Sequence, residues 1–258
     1  MSFILSHTEG PVLKLSLNRP DKFNSFNRAM ALELQKELDR AATDNTIRTV
    51  YLTGEGKAFC AGQDLSEAVD PNGPGITKIV EEHYNPIILK IRNLEKPVVC
   101  AVNGVAAGAG ANIALACDVI VAASSSSFIQ AFSKIALIPD SGGTFFLPRL
   151  VGFQRALALC MLGDRVSAAD ALQMGMIYKV SADEHLQTEA MQLATTLAGM
   201  PTKGLGLTKR LFNLGTFNSL EKQLQAEGEL QTQAASSHDY KEGVSAFLEK
   251  RKPVFKGN

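Results

Sequence analysis

The sequence predicts an α/β fold, and three observations lead there. Short apolar runs recur through the first part of the chain, stretches of helical period separate them, and strand-like patterns cease toward the C-terminus. Leu13, Leu15 and Leu17 alternate with Lys14 and Ser16, the period of two that predicts a half-buried strand. Residues 49–53 (TVYLT) and 98–102 (VVCAV) are short apolar runs ending at glycine or Asn-Gly, and 119–123 (VIVAA) is similar; all three predict buried strands. Between them, residues 30–42 place Met30, Leu34 and Leu38 on one helical face, with Glu33, Lys36 and Glu37 largely off it. Residues 70–75 hold two prolines and two glycines, which predicts a loop or mobile flap. From about Gln187 onward strand signals vanish, and residues 220–224 open a stretch rich in helix formers. The expected organisation is a core over residues 1–195 followed by a helical region over 196–258, with no repeat or visible linker.

Composition narrows the function classes. The chain has 258 residues, 45% of them hydrophobic, enough for a sizeable buried core. Lys plus Arg (26) equals Asp plus Glu (26), so no overall field draws it to nucleic acid or an anionic membrane, and an anionic ligand must meet local positive charge. The short basic run Lys250-Arg251-Lys252 does not change that balance. A non-catalytic RNA-binding or scaffolding role is the rival from another class, and the lack of a basic excess argues against RNA. Cys60, Cys100, Cys117 and Cys160 are widely spaced without a CxxC, and read as free thiols of a reducing cytoplasm rather than metal ligands. No apolar run approaches the ~18 residues of a spanning helix, and the N-terminus lacks a signal-peptide pattern. The expected location is the cytoplasm, with no membrane partner.

Three segments carry chemistry. Residues 58–65 (AFCAGQDL) follow a predicted strand, and their small residues let backbone amides approach a ligand. Residues 103–112 (NGVAAGAGAN) follow another and run into an apolar helix, whose first N–H groups are unpaired and favour negative charge. Two such loops converging can hold one carbonyl oxygen between two donors; the plainer alternative is that the glycines serve tight packing. Asp140, in Ile138-Pro139-Asp140-Ser141-Gly142-Gly143-Thr144, reads as a lone acid suited to moving a proton, or else as a helix cap or turn residue. His7, His83, His185 and His238 stand isolated and read as surface or core positions. Whether His83 or the 70–84 loop enters a site is open at this level.

Together, AFCAGQDL, NGVAAGAGANIALACD and IPDSGGTFFLPRLVG resemble the crotonase, or enoyl-CoA hydratase/isomerase, superfamily. Residues 18–25 (NRPDKFNS) are similar to its N-terminal CoA-side segment, and 244–251 (VSAFLEKR) to its C-terminal helix. The resemblance implies a spiral of strand-strand-helix turns with a helical C-terminal trimerisation region, hence a homotrimer or dimer of trimers. It implies an acyl-CoA thioester substrate, with no cofactor beyond the CoA of that substrate and no metal. Carried over by motif, the oxyanion donors are the N–H groups of Gln63 and Ala109, with Gly108 and Gly110 as one-residue alternatives. The CoA contacts are Lys22, Phe23, Asn24, Ser25, Ala61, Asp64 and Leu65, with Phe247 and Lys250 from the tail, often of a neighbouring subunit.

The departures from the family pattern are as useful. Hydratases of the family carry glutamates where Asn112 and Phe132 stand, so a water held between two carboxylates is not expected. Dehalogenase relatives use the acid at the position of Asp140 as a nucleophile beside a tryptophan where Phe132 stands. The segments FCAGQD, DPNGP, AFSK and EGVSAF are similar to an isomerase branch that converts a ring-epoxide thioester to an oxepin and shifts 3-enoyl double bonds to position 2. Isomerisation by a single acid/base is therefore the expectation. Hydratase and dehalogenase-like activities on the same fold are the alternatives.

Overall fold

The computed structural model describes residues 2–258. Among these residues ten strands form two sheets. Strands β1 (Ile4–Glu9), β2 (Val12–Leu17), β3 (Thr49–Gly54), β5 (Val98–Val102), β7 (Val119–Ala123) and β10 (Lys179–Ser181) make a six-stranded sheet in the order β1-β2-β3-β5-β7-β10. It is parallel except for the β1-β2 hairpin. Strands β4 (Ala58–Cys60), β6 (Val105–Ala107), β8 (Ser127–Ile129) and β9 (Arg165–Ser167) make the second sheet, with only β9 antiparallel. The pairs β3-β4, β5-β6 and β7-β8 each give one strand to each sheet before the chain turns into helix. That repeated strand-strand-helix turn is the spiral.

The first turn winds through α1 (Arg28–Thr43), then α2 (Leu65–Ala68), α3 (Gly75–Lys78) and α4 (Asn85–Asn93), with a six-residue π-helical stretch Ile79–Tyr84 leading into α4. Asn27 starts α1 by accepting the Met30 N–H at 2.9 Å, and Met30, Ala31, Leu34, Leu38 and Ala41 form its buried stripe. Then come α5 (Ala109–Ala116), α6 (Gly143–Val151), α7 (Phe153–Leu162), α8 (Ala168–Gln173) and α9 (Leu186–Ala198). The C-terminal helices are α10 (Thr202–Gly215), α11 (Leu220–Ala235) and α12 (His238–Leu248).

β2 departs from its expected half-exposure. Leu13, Leu15 and Leu17 face one core, but the opposite face is covered as well, and Ser16 is only 3% exposed. Helix α9 packs there, its Ala190, Ala194 and Ala198 forming a second cluster with Val12, Tyr51, Val99 and Val121. Alanines at a spacing of four let the helix lie close to the sheet. The three-residue strands β4, β6, β8, β9 and β10 were invisible to periodicity, since a run that short completes barely one alternation.

Helix α10 is fastened to the spiral by charge. Asp118 accepts from Arg92 at 3.2 Å and from Lys209 at 2.7 Å, and also takes the Val98 N–H at 2.8 Å. Burial pulls the Lys209 ammonium below its ordinary range while Asp118 opposes that shift. Lys209→Met would leave Asp118 with Arg92 and one amide. The expected loss is about 2 kcal/mol, below the figure for a fully buried pair because two partners remain. Urea denaturation with a lower midpoint and an unchanged slope would register it.

Candidate active site

A cavity of about 560 Å³ opens between the end of β4, the start of α5, the π-helical stretch and the turn before α6. Its floor depends on Gly62. At φ +93° Gly62 lies against the β6–α5 turn so closely that a Cβ would sit 2.9 Å from the Ala107 carbonyl and 3.5 Å from the Ala109 nitrogen. The next peptide is held from behind: the Phe26 N–H donates to the Gly62 carbonyl at 2.7 Å, and the Asp64 N–H to the Phe26 carbonyl at 2.8 Å. The N–H groups of Gln63 and Ala109 find no acceptor among the described residues, and both residues line the cavity. Ala109 is also the first residue of α5, where the helix dipole favours negative charge.

The neighbouring registers are closed to this use. Gly108 donates its N–H to Ile129 at 2.9 Å and is not free. Gly110 does not line the cavity; a Cβ there would meet the Cys60 carbonyl at 2.5 Å and its sulfur at 2.6 Å, so close packing is what requires glycine.

Asp140 is the only carboxylate lining the cavity among the described residues. It is not a helix cap: α6 starts at Gly143, with Gly142 at its N-cap and no side-chain cap bond. Its Oδ1 accepts from the Ser141 hydroxyl at 2.8 Å, while Oδ2 has no partner. Its backbone carbonyl accepts from the Asn112 amide at 2.9 Å and from the Gly143 N–H at 2.9 Å, which holds the turn. Burial raises its carboxyl pKa, and the Ser141 hydrogen bond offsets part of that rise. No cation among the described residues pairs with it. Phe132 is buried in the cavity wall, close to Gly108.

A model of the enoyl-CoA hydratase/isomerase family matches residues 7–258. The chain belongs to the enoyl-CoA hydratase/isomerase family. A 1,2-epoxyphenylacetyl-CoA isomerase of Escherichia coli (strain K12) is 52% identical over 100% of this chain and 99% of its own. A probable enoyl-CoA hydratase of Rhodobacter capsulatus is 42% identical over 94% and 93%. A crystal structure of an enoyl-CoA hydratase/isomerase from Mycobacterium abscessus superposes with a TM-score of 0.94 at 35% identity, covering 99% of this chain and 100% of that one.

Other residues that the family pattern suggested lie in different settings. Ala61 and Leu65 line the cavity; Lys22, Phe23, Asn24, Ser25 and Asp64 do not. The Phe23 carbonyl accepts the Ala61 N–H at 2.9 Å, which brings the 22–25 segment beside the mouth. The Asn24 side chain is consumed by Arg19, Glu55 and Ala58 of its own backbone surroundings. The Asp64 carboxylate pairs with Arg19 at 2.9 Å and caps α2 through Ser66. Phe247, 83% exposed, and Lys250 do not line the cavity.

Of the 70–84 segment, Ile76, Ile79, Val80 and Tyr84 enter the cavity wall, whereas His83 is buried behind it with Nε2 3.3 Å from Arg28. Tyr84 ends the 70–84 loop whose entry the sequence left open, and neither its neighbour Glu67 nor the lining cation Lys134 was singled out in the sequence. No local motif marks them. A second cavity of about 550 Å³ lies under α10 beside Arg92 and Lys209, but Gln63, Ala109 and Asp140 are not in its walls.

Because the folded environment raises the Asp140 pKa, its ionised form destabilises the fold once pH exceeds that pKa, and the penalty is absent below the ordinary carboxyl value of about 3.9. Asp140→Asn is therefore expected to raise Tm at pH 7. The advantage should shrink as pH falls, as calorimetry across a pH series would show.

Proposed function

We propose that this protein is a CoA-thioester isomerase that converts 1,2-epoxyphenylacetyl-CoA to an oxepin thioester and shifts 3-enoyl-CoA double bonds to position 2. The carrying observation is the single carboxylate, Asp140, in a cavity with two free backbone N–H donors. The full-length 52% identity to a 1,2-epoxyphenylacetyl-CoA isomerase supports the choice of substrate.

In this reading the Gln63 and Ala109 N–H groups grip the thioester oxygen. Removing a proton from C2 makes an enolate, and each such donor lowers the barrier by about 2.7–4 kcal/mol where that charge develops. Asp140 takes the C2 proton on its unpartnered oxygen and returns it to C4, leaving the double bond conjugated with the thioester. The same cycle serves the ring substrate. An arene oxide and its oxepin interconvert by electron reorganisation alone; moving the side-chain proton onto a ring carbon then traps the seven-membered ring with an exocyclic double bond. Every substrate atom reappears in the product, so no oxidant or co-substrate is called for. Apolar walls from Phe132, Ile79 and Leu137 raise the pKa of Asp140 toward the working range of a general base.

Lys22, Phe23, Asn24 and Ser25, with Ala61 and Leu65, form the CoA approach in this reading, and Lys134 adds positive charge at the cavity wall. Residues 196–258 form the assembly region of a trimer or dimer of trimers. Phe212 and Phe217, each 76% exposed, present more apolar surface than a lone chain keeps in water. Assembly would also carry Phe247 and Lys250 to a neighbour's CoA. Cys60, Cys100 and Cys117 are buried and all four cysteines are free, which suits a reducing cytoplasm, and no helix among the described residues is long and apolar enough to cross a membrane.

Asp140→Asn should bind CoA esters normally while losing about 10²–10⁴-fold in double-bond migration on a 3-enoyl-CoA, followed by mass spectrometry with the epoxide thioester in parallel. Near-wild-type turnover would end the assignment. In the wild type, kcat/KM should rise with pH through a midpoint above the ordinary Asp value, because the base must be ionised and burial raises its pKa.

A further inference from the structure

A second carboxylate stands just behind the cavity wall. Glu67 accepts the Gln63 side-chain amide at 3.0 Å and the Arg28 N–H at 3.0 and 3.1 Å, yet it does not line the cavity. Gln63, which holds it, and Tyr84, which is hydrogen-bonded to Gln63, both line the cavity. The directions of these hydrogen bonds follow from the chemistry of the groups. An ionised carboxylate only accepts, so Gln63 must turn its NH2 toward Glu67. Its Oε1 then faces Tyr84, and the Tyr84 hydroxyl donates to it at 2.8 Å. Tyr84 is wholly buried and set edge-on against Phe26, with ring centroids 5.9 Å apart, so the ring is braced from behind.

We propose that Tyr84 and the Gln63 side chain form a cover that keeps Glu67 out of the cavity, so that one proton carrier, not two, faces the thioester. This rests on the isomerase reading and deepens it by saying what suppresses hydration. Two carboxylates beside a 2-enoyl thioester would suffice to add water. Glu67 would take one proton from the water as its oxygen bonds to C3, and protonated Asp140 would deliver a proton to C2. The carboxyls would then reset by exchanging one proton with solvent. Since a 2-enoyl thioester is also the isomerisation product, exposing Glu67 would turn the product into a substrate. The Gln63 backbone is fixed separately by Phe26, so the cover acts through the side chains. Tyr84 and Glu67 are thus positioning residues, and Gln63 has two roles, its N–H toward the substrate and its amide toward Glu67.

The test follows both reactions by mass spectrometry, with 3-enoyl-CoA for isomerisation and 2-enoyl-CoA for the gain of one water. Tyr84→Phe is expected to raise the ratio of hydration to isomerisation by at least about tenfold, and Tyr84→Phe combined with Glu67→Gln to return it to the wild-type value. Gln63→Ala should act in the same direction and replaces Tyr84→Phe if that variant does not fold. A merely structural role would lower both rates together. An unchanged ratio in these variants, or a gain that survives Glu67→Gln, overturns the proposal. If the wild type fails to convert 3-enoyl-CoA, the isomerase reading is lost, and the absolute hydration rates of variants and wild type still decide the cover.

Discussion

The site depends on how closely two stretches of backbone approach each other at Gly62. A Cβ at that position would clash with the Ala107 carbonyl at 2.9 Å, so the turn that leads into Ala109 would have to shift. The second sheet sets the approach, because β4 and β6 are hydrogen-bonded neighbours within it and each runs directly into one of the donor loops. Cys60 packs under Gly110 on one side, and Phe26 holds Gly62 on the other. Donors fixed in this way need no reorganisation when charge develops on an oxygen between them.

The treatment of carboxylates separates structure from chemistry in this molecule. Asp64 is bonded to Arg19 and Ser66, Asp118 lies between Arg92 and Lys209, and Asp239 takes the N–H groups of Lys256 and Gly257 in the C-terminal tail. Each has partners for both oxygens. Asp140 has one hydroxyl partner, no cation and an apolar wall, and burial raises its pKa accordingly. A carboxylate left in that condition costs stability at neutral pH, because the fold favours its protonated form. Asn112 and Gly143 hold its backbone, so the side chain can stay unpaired without the turn losing its shape.

Much of this was legible in the amino-acid order. The runs at 49–53, 98–102 and 119–123 are strands, and the 30–42 stripe is α1 with a residue or two added at each end. Cavity-lining residues came from three recognisable segments, including Gln63, Ala109 and Asp140. These features are encoded within a few residues: an alternation, a turn glycine, an acid after proline. Asp64 shows the limit, since the cation that pairs with its carboxylate, Arg19, lies 45 positions away.

What the sequence by itself determined was therefore the order of the elements, the glycines that allow close approach, and the identity of the acid. Only the tertiary structure decided which amide stays free, with Gly108 spent on Ile129 and Ala109 unpaired. It also decided that α9 covers the second face of β2, that His83 is buried outside the cavity lining, and that Tyr84 reaches Gln63 across 21 residues. The reason is physical: local periodicity and turn chemistry act over one or two turns of chain, whereas a hydrogen-bond partner or a buried wall is chosen by which distant surfaces the packed sheets bring together.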